Sequence, residues 1–98
     1  MAKLIINFIP AQGQEEAMTR YRKAAGPLFA AIGGKPTEPV RIVEEIAGGQ
    51  GMVMSLVMDF ESAEALSALF ASEAYEAVIP LRDAAFEDIQ ILITEDAN

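Results

Sequence analysis

Few side chains in this sequence can do chemistry, and among them Arg82 is the most informative. If its segment runs as a regular helix, Tyr75, Val78, Ile79, Arg82 and Phe86 share one face. A guanidinium in such a stripe has to be held, because stranding a buried charge by removing its partner costs about 3 to 5 kcal/mol. Two readings follow. Arg82 is a structural arginine bonded to helix-end carbonyls or to a carboxylate such as Asp59, or it is an anion clamp for a carboxylate or enolate ligand. Pro80 bears on both, since a helix restarting there would turn Arg82 off the shared face.

The other candidates are weaker. Ser72 and Tyr75 have the types of a nucleophile and an acid, yet the chain has no histidine and no cysteine to activate the serine. A helix N-cap and a core-edge aromatic are the expected roles. Asn7 interrupts an apolar run, and Asn7, Tyr75 and Arg82 together would position and polarise a small ligand while a tyrosine or a water moved protons. Arg20, Arg22 and Lys23 form the basic cluster, with Arg22 bordering an apolar helical arc beside Tyr21, where it would join Arg82 near one mouth of a cavity. Glu44 with Glu45, and Glu87 with Asp88, are not dyads, because neighbours in a strand point to opposite faces. The run Gly48-Gly49-Gln50-Gly51 lacks the Gly-Lys-Ser/Thr ending of a phosphate loop. Without His or Cys ligands or a nucleotide-binding motif, neither a metal nor an organic cofactor is expected.

Composition narrows the partners. With 15 acidic and 7 basic residues the net charge is -8, which opposes binding to nucleic acid or to anionic membrane surfaces. Hydrophobic residues make up 52% of the chain before glycine is counted, already above the roughly 45 to 50% that an average soluble chain reaches with glycine included. The apolar stretches fall well short of the roughly 20 residues of a spanning helix, so a subunit interface is the expected destination of the excess. A length of 98 residues suits one domain with one core. The absence of cysteine makes a cytoplasmic location the expectation, and Met1 to Pro10, with no small-residue cleavage site after it, reads as a strand of the mature protein.

The elements that must position these residues follow from periodicity. Lys3 to Ile9 reads as a strand with Leu4, Ile6 and Phe8 on one face and Ile5, Asn7 and Ile9 on the other. From about Gln14 to Ile32 a 3.6-residue rhythm through Ala17, Met18, Tyr21, Ala25, Leu28 and Phe29 predicts an amphipathic helix, kinked at Gly26-Pro27 and ended by Gly33-Gly34. Val40 to Ile46 and Met52 to Phe60 read as strands joined by a glycine-rich hairpin. Ser62 caps a short helix, Ser72 caps another running to about Ala85, a last strand covers about Glu87 to Thr94, and Glu95 to Asn98 form a solvated tail. This order is that of an α+β ferredoxin-like split βαβ sandwich: a four-stranded antiparallel sheet with helices on one face. The other face, with Asn7, Ser55 and Gln90 among Ile5, Ile9, Val53, Val57 and Leu92, is too apolar for water and is expected to meet a second subunit's sheet around a small polar-lined cavity.

Phe60-Glu61-Ser62-Ala63-Glu64-Ala65, then Phe70-Ala71-Ser72-Glu73-Ala74-Tyr75, then Pro80-Leu81-Arg82, resembles the signature of the domain-of-unknown-function 1330 family. The resemblance covers about Phe60 to Ile93, and departs in having Phe70 where the family often has tryptophan. It implies the dimeric α/β-barrel superfamily, in which two ferredoxin-like sheets pack face to face, and it implies no activity. Relatives in that superfamily include cofactor-independent monooxygenases and isomerases. Three functions stand open at this point. The chain binds or transforms a small, partly apolar acid without a cofactor; or it is a non-catalytic homodimer whose polar core groups satisfy one another; or it binds a protein partner along the edge strand Val40 to Ile46.

Overall fold

Alternation along the first strand sets the arrangement. In β1 (Ala2–Pro10), Ala2, Leu4, Ile6 and Phe8 are buried while Ile5, Asn7 and Ile9 are half-buried, so one face of the strand is core and the other is not. This computed structural model describes residues 1–97; Asn98, the last residue of the expected tail, lies outside them. β1 is central, pairing antiparallel with β3 (Met54–Phe60) and with β4 (Phe86–Glu95), and β3 pairs on its far side with β2 (Val40–Arg41). The order β2-β3-β1-β4, all antiparallel, is the ferredoxin-like topology expected from the sequence.

Among the described residues four helices fill the connections: α1 (Glu15–Ala31), α2 (Ala63–Phe70), α3 (Glu73–Glu76) and α4 (Ile79–Ala85). They cover the face that carries Leu4, Ile6, Phe8, Met58 and Phe60, and the core closes around Leu4, Leu66 and Tyr75, each at most 1% exposed. α1 runs as one element through Gly26-Pro27. It ends in a Schellman motif: Gly33, at φ 92°, donates to the Ala30 carbonyl at 3.0 Å, and Gly34 donates to the Phe29 carbonyl at 3.0 Å. Gly34 is also required by space, since a Cβ there would stand 2.5 Å from the Phe60 ring. Ser62 and Ser72 cap their helices as expected, their hydroxyls accepting from the amides of Ala65 at 3.1 Å and Tyr75 at 3.2 Å.

Three expectations are corrected. The second strand stops at Arg41, with one further backbone bond from Ile42 to Val53; Val43 and Ile46 stand exposed, because three glycines at positive φ (Gly48, Gly49 and Gly51) turn the chain into a loop without ladder partners. The helix capped by Ser72 is two pieces, with Pro80 in the first turn of the second, where its missing N–H does no harm. The tail begins later than expected: Glu95 ends β4, and Asp96 is tied back by its amide to the Met1 carbonyl at 3.3 Å.

Candidate functional site

Between α1 and the sheet lies a cavity of about 330 Å³. Ile6, Phe8 and Met58 form its floor, Met18, Tyr21 and Phe29 its roof, and Phe86 and Ile89 one wall. The segment Pro36 to Pro39, with the exposed Glu38 in it, and the exposed Arg22 border it, so the walls are apolar and both charges sit where solvent reaches. A cavity of about 150 Å³ holds benzene, so this one is large enough for a body of one or two rings. Edge-to-face contacts fix its walls: Phe86 packs on Phe8 with centroids 5.1 Å apart and on Tyr21 at 5.6 Å.

Behind Tyr21 is a buried polar chain. The Tyr21 and Tyr75 hydroxyls are 2.9 Å apart, and Arg82 donates from Nη1 to the Tyr75 oxygen at 3.3 Å while its guanidinium carbon lies 5.7 Å from the Tyr75 ring centre. Burial, and after it the bond with Tyr75, pushes the Tyr21 phenol well above the ordinary range. Burial works against the Arg82 charge, but the bond to Tyr75 and the neighbouring Asp83 more than offset it, and its pKa is raised. Among the described residues Arg82 Nε has no hydrogen-bond partner; Asp83 Oδ1 stands 3.6 Å away, an ion-pair distance too long for a hydrogen bond, and Asp83 is itself mostly in solvent.

Of the residues singled out in the sequence, Tyr75 and Arg82 come together, as their shared helical face requires, despite the break before Ile79. Arg82 does not pair with Asp59, which instead meets Lys3 across the β1–β3 register. Nor do Arg22 and Arg82 meet at one mouth: Arg22 borders the cavity and Arg82 stands behind Tyr75. Asn7 is on the opposite face of the sheet from both. Its Oδ1 accepts from Ser55 at 2.7 Å and its Nδ2 donates to Gln90 at 2.9 Å, a row set by the direct pairing of these three positions. Ser72 is a cap, donating to the Leu69 carbonyl at 2.6 Å as well as accepting from Tyr75. In the sequence Tyr21 stands out only as part of the α1 helical arc, yet it is the residue that joins the cavity lining to the Tyr75 hydroxyl. Its signal was present: the chain has 2 tyrosines, and a tyrosine facing a core needs a partner for its hydroxyl. Among the described residues no cluster of acidic side chains has the grouping of a metal site, and no helix is long and apolar enough to cross a membrane.

Sheet order, helix placement and the cavity between them define a ferredoxin-like α+β protein, and solved structures share that fold. A Rhodopseudomonas palustris protein of unknown function superposes with a TM-score of 0.72 at 19% identity, covering 99% of this chain and 83% of its own. An Arabidopsis thaliana protein gives 0.72 at 17%, covering 100% and 97%. A Bacteroides fragilis protein, described as dimeric, of unknown function and of ferredoxin-like fold, gives 0.63 at 15%, covering 97% and 95%. No curated protein matches the chain. The profile of the Domain of unknown function (DUF1330) family matches residues 5–96, and the chain belongs to that family.

Proposed function

We propose that this protein binds a small, largely apolar acid in the cavity between α1 and the sheet, and that it does so as a homodimer packed through the bare sheet face. The observation that carries the binding reading is the cavity itself: about 330 Å³, walled by aromatic and aliphatic side chains, with the Arg22 cation at its border. Apolar walls favour a hydrophobic body, and a guanidinium at the rim favours a carboxylate that stays partly in water. A cofactor-free conversion of such an acid would draw on the Tyr21 phenol at the cavity wall.

The homodimer reading rests on the other face. Val57 is 46% exposed and Leu92 39%, and the polar row Asn7, Ser55 and Gln90 between them is bonded within itself. A second sheet covering this face finds Asn7 and Ser55 already bonded to their neighbours, and has the Gln90 Nε2 amide left to pair. The Bacteroides fragilis protein of the same fold is described as dimeric, which supports a dimer. Calorimetric titration with para-isopropylbenzoate tests the binding reading. Saturable binding of one acid per chain, weakened by Arg22→Glu, is expected; no heat at millimolar acid overturns it.

A further inference from the structure

The geometry points to Arg82, Tyr75 and Tyr21 as a directed chain of donors that presents the Tyr21 hydroxyl proton to the cavity, so that the cavity selects ligands carrying an acceptor oxygen on their buried end. This rests on the cavity being a ligand site, and it adds which oxygen-bearing acids that site takes.

The direction follows from counting protons. Arg82 donates and cannot accept, so at Tyr75 the oxygen accepts from Nη1 at 3.3 Å. The 2.9 Å contact between the two phenols then has one proton in it, belonging to either residue. If Tyr21 donates, the Tyr75 proton is left over, on a side chain 1% exposed that does not border the cavity and has no further hydrogen-bond partner among the described residues. If Tyr75 donates, the spare proton is on Tyr21, which lines the cavity. A buried donor without an acceptor is the costlier outcome, so the second arrangement is the one the fold favours. Each bond in such a chain polarises the next, and the guanidinium sits at its head, so the Tyr21 proton is a better donor than that of an isolated phenol.

An acid entering carboxylate-outward toward Arg22 brings its far end to this proton. A carbonyl oxygen there gains a hydrogen bond, and an alkyl group of the same shape leaves the proton unsatisfied. Arg82, in this account, is a positioning residue: it acts on the ligand through Tyr75 and does not line the cavity.

Para-acetylbenzoate and para-isopropylbenzoate are near-isosteres that differ in this oxygen, and their relative affinity, measured by calorimetry on the intact protein, reads the donor. Wild type is expected to prefer the acetyl acid, although it is the less hydrophobic of the two. Tyr21→Phe should reverse that preference, a change in the ratio of about tenfold, the upper range for one hydrogen bond. Affinity for the isopropyl acid should be unchanged or higher in the same variant, since the proton it leaves unsatisfied is gone, and this also shows that the cavity is intact. Arg82→Met leaves the cavity lining untouched and should move the ratio in the same direction by about threefold, an effect that loss of packing alone would not produce, since packing changes weaken both acids together. If wild type binds the isopropyl acid and the ratio is the same in Tyr21→Phe, the donor chain is wrong and the cavity reading stands. If neither acid binds, the cavity reading fails and this inference fails with it. Should Tyr21→Phe not fold, the ratio in Arg82→Met decides: an unchanged ratio overturns the chain.

Discussion

The two faces of the sheet are made by the same strands and solve opposite problems. On the covered face, Leu4, Ile6, Phe8, Met58 and Phe60 meet four helices, and the polar groups there, the two phenols and Arg82, find partners on different helices. On the bare face, Asn7, Ser55 and Gln90 find partners one strand away, and the apolar side chains around them stay partly exposed. The difference shows what each face is prepared for. The covered face keeps an open cavity inside an otherwise close-packed core, at the expense of contacts that would have filled it. The bare face has its polar row bonded within itself and leaves the apolar side chains around it uncovered.

The comparison breaks most visibly where the covered face is most tightly packed. Tyr75 is fully buried and holds Phe70 at 4.7 Å edge-to-face besides its two hydrogen bonds, so Tyr75→Ala is expected to destabilise the fold by about 3 to 5 kcal/mol in denaturant titrations, the range for emptying a buried aromatic site. A loss under about 1 kcal/mol would mean that the aromatic cluster is not the core's anchor.

On the bare face the expected effect is on assembly. Val57→Lys puts a charge in the middle of the proposed interface, where burying it unpaired is unfavourable. Sedimentation should then show the mutant at its monomer mass of 10.5 kDa with its helical signal unchanged, and wild type at twice that mass. A wild-type monomer at micromolar concentration would remove the dimer from the account.

A smaller effect separates the phenol pair from ordinary packing. Because the Tyr21 pKa is raised in the folded chain, Tyr21 keeps its proton after the unfolded chain has lost its own, above the ordinary phenol value of about 10. Stability from this group is therefore fully present below pH about 10 and falls as pH rises beyond it. Tyr21→Phe should cost about 0.5 to 1.5 kcal/mol at neutral pH and flatten that alkaline decline. A decline of the same steepness in the variant would place its origin elsewhere.

Most of this architecture is legible in the sequence because it depends on local rules. Period-two alternation gives both faces of β1, the 3.6-residue rhythm gives α1, and Ser62 and Ser72 announce their caps. The site is less legible because it depends on what lies across the fold. Tyr75 and Arg82, seven positions apart, share one helical face, whereas Tyr21 reaches Tyr75 only once α1 docks beside α3 and α4. Asn7 shares only its polar type with them, and the pleat that turns it to the other face is written in its odd position beside Leu4, Ile6 and Phe8. The loop from Val43 to Met52 escaped because a β-branched run reads as a strand wherever it occurs, and only the missing partner edge decides otherwise.

Methyl-resolved NMR with para-isopropylbenzoate tests the central claim most directly, because the two faces carry separate reporters. Ile6, Met18, Met58 and Ile89 border the cavity, while Ile5, Val53, Val57 and Leu92 belong to the bare face. The account predicts saturating shifts at the first group with the second nearly still; shifts confined to the second group, or none at millimolar acid, would contradict it.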